Sequence, residues 1–151
     1  MNGAHLHLII CHIPIMGAGF TVLLILFSLL KKNKDLKQVS LWFAAITGVS
    51  ALVVYFTGDG AEEVVKSVLG TPESVIETHE TFAMYFLIAL LLIGVIALAG
   101  LFLSQASTAV LNKFVVIVLI LTLLTSYLAF ETGISGDKIA HSEIENSIPP
   151  K

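Results

Sequence analysis

Four uncharged, largely apolar stretches divide the chain, at residues 13–30, 40–57, 81–104 and 114–130. A helix needs roughly 20 residues to cross the hydrocarbon of a bilayer, and these runs have 17 to 24. Lipid offers no hydrogen bonds to the backbone, so a spanning segment of this kind has to be helical. Short turns between such helices make neighbours antiparallel. The pattern predicts an all-α, integral membrane four-helix bundle. Its spans cover about 9–30, 39–57, 79–104 and 110–130 in one domain over residues 1–145, followed by a short tail at 146–151 that frays at Pro149-Pro150. Small residues inside the spans (Ala44, Gly48 and Ala51; Gly94, Ala97 and Gly100) allow helices to approach closely.

Between the apolar stretches the local signals are readable. Pro14 is either an early helix residue or a kink. If the first helix already includes residues 5–16, His5, His12 and Met16 share one face, and His7 and Cys11 another. Thr57-Gly58-Asp59-Gly60 breaks the second helix. Residues 61–69 then read as a short interfacial helix, with Glu62 and Lys66 four apart. Lys66 is expected to be a solvated residue of this connection, and Glu62 and Glu63 to fold back over the bundle mouth. Thr71 is the expected cap of the third helix, Pro72 its first residue and Glu73 part of its first turn. Glu73, Glu77, Glu80 and Met84 then lie on one face. The fourth helix is expected to end at Glu131, before Gly133 and Gly136, with something cationic compensating an anion at that helix end. The sequence after Phe130 echoes Thr57-Gly58-Asp59-Gly60, which suggests two hairpins related by a pseudo-twofold axis along the membrane normal.

Composition agrees with a membrane protein. Hydrophobic residues make up 56% of the 151 and charged residues 13%, where a soluble domain averages about 25% charged. Mean hydropathy is +0.94. A net charge of -3 with no Arg excludes a basic nucleic-acid face. The single Cys excludes a disulfide framework and a four-thiolate zinc site; Cys11 itself reads as a small buried hydrophobe. Trp42, Tyr55, Tyr85 and Tyr127 fall near span ends, as membrane-interface anchors do.

Orientation follows from the lysines. Lys31, Lys32, Lys34 and Lys37 lie in the first loop and Lys113 in the third, so both loops face the cytoplasm and both termini face outward. No basic residue precedes the first span, which is therefore expected to be retained rather than cleaved as a signal peptide. The outer side then carries ten carboxylates against three lysines, and all five histidines: His5, His7, His12, His79 and His141.

This polar strip at one end of an apolar bundle is the candidate site. Imidazole and carboxylate together suit Fe, Cu or Zn, and bundles assemble such sites from several helices. Ionisable groups near hydrocarbon are costly, which marks them for function. The expected ligands are His12, His79, Glu62, Glu80 and His141, followed by His7 and Glu63. The ferritin-type Glu-x-x-His pair is missing, since Glu77 precedes His79 by two. A second reading gives His12 and His79 to a b-type haem as axial ligands, although haem propionates meet an acidic surface there. A third makes the protein a non-catalytic accessory subunit whose polar strip caps helices and docks a partner.

The run His7-Leu-Ile-Ile-Cys-His12-Ile-Pro14-Ile resembles the opening of a poorly characterised family of bacterial four-helix membrane domains, with its His-x4-His-x-Pro-Ile pattern. Thr57-Gly58, His79, Gly133 and Gly136 fit the same pattern at the later helix ends. In some relatives the domain is joined to Rieske or cytochrome c modules. The resemblance implies a multi-pass protein of the bacterial inner membrane in a redox setting, with a respiratory partner. A homo-oligomer is compatible with it, and it implies no substrate.

Overall fold

The computed structural model describes residues 3–141, which form helices without a strand. The expected tail at 146–151 lies outside the described residues. In chain order the helices are α1 (Gly3–Ile10), α2 (His12–Leu30), α3 (Lys34–Tyr55), α4 (Gly58–Val64), a π-helical segment (Val65–Leu69), α5 (Glu73–Leu103) and α6 (Thr108–Ala140). Four helical rods are long and apolar enough to span a membrane: Gly3–Leu30, Lys34–Leu69, Glu73–Leu103 and Thr108–Ala140. The principal helices pack as a ring, α2 on α3, α3 on α5, α5 on α6 and α6 back on α2.

The surface and the interior have exchanged their usual character. Phe20, Leu23, Ile46, Val49, Leu92, Val95, Phe102 and Leu124 are exposed, as are the four anchor residues Trp42, Tyr55, Tyr85 and Tyr127. Thr21, Ser28, Ser40, Thr47, Thr122 and Thr125 are buried among Ile25, Leu41, Leu90, Leu111, Val115 and Val118. A contiguous apolar exterior of this size suits lipid and not water. Four of these hydroxyls donate to carbonyls three or four residues back in their own helices, Thr21 to Gly17, Ser28 to Ile25, Ser40 to Lys37 and Thr122 to Val118.

Close helix contact occurs where the small residues predict it. Without a hydrophobic force between helices in lipid, backbones have to approach for dispersion to act. A Cβ built on Gly48 would lie 2.7 Å from the Leu90 carbonyl oxygen, and one on Gly94 3.6 Å from the Ala45 Cα. Gly100 lets α5 close on the Phe114 ring of α6, where a Cβ would come within 2.6 Å of the Phe114 Cβ. Ala44, Ala51 and Ala97 are buried in the same seams.

Several boundaries differ from expectation. Pro14 has no N–H for the Ile10 carbonyl, and the regular helix is interrupted by a turn at Cys11, whose backbone stays in the helical region at φ -61° and ψ -24°. Thr71 does not cap α5. Pro72 occupies the N-cap position with ψ 138°, Glu73 begins the helix, and the Thr71 hydroxyl is buried without a partner among the described residues. The interfacial helix is α4 followed by a π-helical turn, closed by Gly70 in the left-handed region at φ 63°. Lys66 is more than a solvated residue of that turn. Its ammonium bonds Glu62 at 2.6 Å and Glu73 at 2.8 Å, which ties the segment to the start of α5.

The largest correction is α6. It continues through Gly133 and Gly136 to Ala140, so Glu131 lies inside the helix and the dipole argument for a compensating cation does not apply. Each helical glycine is unfavourable by about 1 kcal/mol relative to Ala. Burial of Thr132 and Ser135 and the contact of Ser135 Oγ with the His79 ring at 3.1 Å hold this segment against α5. Gly136 also has a packing reason, because a Cβ there would sit 3.2 Å from Cε1 of the His79 ring.

Candidate functional site

The outer end of the bundle is defined by contacts among four segments. Gly3 of α1 packs directly on Gly60 of α4, so the N-terminal helix leans on the chain that follows α3. His79 of α5 faces Ser135 and Gly136 of α6. The start of α1, the end of α3, the start of α5 and the end of α6 therefore meet at one end.

Two histidines point into this junction. His7 Nδ1 lies 2.9 Å from Thr57 Oγ1, and His79 Nδ1 lies 3.1 Å from Ser135 Oγ. The direction of each bond follows from proton counting. A hydroxyl has one proton and two lone pairs. Thr57 donates its proton to the Val54 carbonyl at 2.6 Å, and Ser135 donates its own to the Glu131 carbonyl at 2.7 Å. With its own proton engaged, each hydroxyl is free to accept from the ring, and in the tautomer that carries the proton on Nδ1 the Nε2 lone pair is left available. Both rings are partly buried, and His7 lies near enough to act electrostatically on His79. Each hairpin thus closes with the same device, a histidine on its first helix held by a hydroxyl near the end of its second. The counterpart of His79 in this arrangement is His7 rather than His12.

His12 is placed elsewhere. It is exposed on the outer face of α2, and its Nδ1 donates to the Leu8 carbonyl one turn back at 2.9 Å. His5, His12 and Met16 are exposed together, while His7 and Cys11 face inward, as the helical spacing predicts. His12 is exposed where His79 is partly buried against α6, and no contact among the described residues joins the two as a haem-ligating pair.

The expected carboxylate ligands form a separate cluster. Glu62 is committed to Lys66, which also holds Glu73, and Glu80 comes within hydrogen-bonding reach of Glu62. Glu63 is exposed. His141 is exposed at the end of α6, 4.0 Å from Asp137. Among the described residues no three His, Cys, Asp or Glu side chains converge as a metal-ligand group. The site is a pair of imidazoles, and Thr57 and Ser135 are the residues that sequence reasoning missed. Thr57 had been visible as part of a helix-breaking motif and of the family-like pattern but not as a partner of a histidine, and Ser135 carried no signal of its own.

No family model, no curated protein and no solved structure matches this chain.

Proposed function

We propose that the outer end of the bundle binds a transition metal ion through Nε2 of His7 and His79, in a membrane protein with a redox-linked role. The observation that supports this is the matched pair of hydroxyl-held imidazoles, in which a proton on Nδ1 would leave Nε2 as the metal donor. Metal-ligating histidines characteristically give their other N–H to a neighbouring acceptor, which sets the tautomer and the ring orientation. Imidazole suits Fe, Cu and Zn. Two protein donors leave coordination positions for a further ligand or an exchangeable water, as redox or catalytic sites require. On this reading the outer end faces the periplasm of a bacterial inner membrane, with the N-terminus and the end of α6 both outside. A respiratory or redox protein is the partner expected there, as the resemblance of His7 through Pro14 also implies.

A second reading is favoured by the number of donors. Two imidazoles from separate helices are the whole protein ligand set that a b-type haem needs, and in this fold they are His7 and His79. The acidic outer surface weighs against two propionates and in favour of a cation.

An absorption spectrum and elemental analysis of the detergent-purified chain test both readings. Stoichiometric Fe, Cu or Zn without a Soret band is the expected result. A Soret band that shifts on reduction replaces the ion with haem, and a folded, colourless, metal-free protein leaves an accessory subunit. The orientation has its own test. A cysteine introduced between Lys31 and Lys37 is expected to resist impermeant maleimide in intact cells and to react after permeabilisation. Labelling in intact cells would invert the topology.

A further inference from the structure

The two inward-facing histidines belong to different halves of the bundle. α1 and α4 prolong the α2–α3 hairpin at its outer end, and they pack on each other much more than on α5 or α6. Their seam is close, since a Cβ on Gly3 would run into the Gly60 carbonyl. His7 is carried by α1 and held by Thr57, the residue that leads into α4. His79 is carried by α5 and held by Ser135 of α6. Each hydroxyl bond therefore fixes a ring within its own half, and neither fixes one half against the other.

One ionic connection does cross between the halves. Lys66 lies in the π-helical segment that continues α4. Its ammonium bonds Glu62 of α4 at 2.6 Å and Glu73, in the first turn of α5, at 2.8 Å. Between the two arms lies an elbow, Gly70-Thr71-Pro72, where Gly70 at φ 63° takes a conformation suited to glycine. Lys66 spans this elbow and holds its arms together. Among the described residues no other lysine pairs with a carboxylate. The connection is also short on both sides. Glu73 is less than two helical turns from His79 on α5, and Lys66 leads back through α4 to Thr57.

We propose that Lys66 is the positioning residue of the histidine pair. By closing the elbow at Gly70 it sets α1 and α4 against α5, and so His7 against His79. The elbow stands on packing alone, and its consequence for a bound metal rests on the histidine reading given above. When the elbow opens, both rings stay on their hydroxyls while the two halves part. A metal held by both rings is then released without loss of either ring's own hydrogen bond. Exposed ion pairs are weak, so the hold is adjustable rather than permanent.

Hydrogen exchange of the full chain in detergent, without added metal, tests the elbow. Exposed ion pairs correspond to a factor of roughly 2 to 5 in an equilibrium constant. Glu73→Gln removes the bond across the elbow and leaves Glu62 with Lys66. Amides of α1 and of residues 58–69 are expected to exchange faster together by that factor, with those of α2 and α6 unchanged. Lys66→Met should do the same, and Lys66→Arg should keep the parent rates. Release of zinc ion to a chelator tests the link to the histidines, and Glu73→Gln is expected to speed it by the same factor with the same number of ions bound. Unchanged exchange in both Glu73→Gln and Lys66→Met overturns the proposal, as does equal acceleration in α2 and α6. Faster exchange with unaltered zinc release overturns the link between elbow and histidines. A parent chain that binds no zinc overturns the histidine reading, and the positioning role with it, whatever the exchange shows.

Discussion

Replacing His79 with alanine is expected to abolish the metal binding proposed for the histidine end of the bundle. With two imidazole donors in the set, His79→Ala and His7→Ala should each weaken binding by more than about 100-fold, beyond the 10- to 100-fold typical of outer-shell changes. Thr57→Val and Ser135→Ala remove only the acceptors that keep the proton on Nδ1. They should fall within that outer-shell range, with the ligands themselves intact. His12→Ala is expected to leave the metal in place, because that ring sits exposed on α2, bonded to the Leu8 carbonyl. Metal content and metal titration of the purified variants measure all five. Loss of metal in His12→Ala with retention in His7→Ala would reverse the assignment. If the histidines only fasten helices, all four inner variants would lower thermal stability and leave the metal content unchanged.

Adding one methyl group at Gly48 is expected to disturb the bundle more than most changes on its surface. In a helix, Gly→Ala by itself is favourable by up to about 1 kcal/mol. At Gly48 the new Cβ would meet the Leu90 carbonyl oxygen at 2.7 Å. That neighbour is backbone and cannot rotate away, so α3 and α5 have to separate. Overpacking of this kind costs about 1–3 kcal/mol, and Gly48→Ala should therefore be destabilised overall. Gly19→Ala is the control, since nothing lies within 4 Å of a Cβ at that position. Thermal unfolding in detergent distinguishes the two. A Gly48→Ala protein as stable as the parent would remove the close α3–α5 seam from the description.

The architecture was legible because lipid leaves few alternatives. A run such as residues 81–104 has to be helical, and the small residues at Gly48, Gly94 and Gly100 marked the seams. The outer histidines were legible as a group, and the helical period separated His7 from His12 correctly. Which of the two faces turned inward was not legible. Both faces carry histidine and one sulfur residue, and only contact with Thr57 selects between them. The carboxylates misled for a related reason. Glu62 and Glu80 are in the right region, but Lys66 reaches both Glu62 and Glu73, and a flexible lysine's choice of partners is set by the fold. The exit from α6 failed locally: Gly133 and Gly136 look like a helix end, yet Ser135 and the His79 ring give that turn a reason to stay helical.

Composition and periodicity by themselves determined an all-helical protein with four membrane-length rods, their close-packed seams and a polar end rich in histidine. They act through local physics, the hydrogen bonds a backbone makes with itself and the side-chain spacing of a helix. The tertiary structure decided which polar groups meet. It gave His7 and His79 their hydroxyl partners, assigned Lys66 to Glu62 and Glu73, and buried Lys37 beside Asn112. Those pairings join residues as far apart as 75 positions in the chain, and helix register and kinks settle them where no periodicity can.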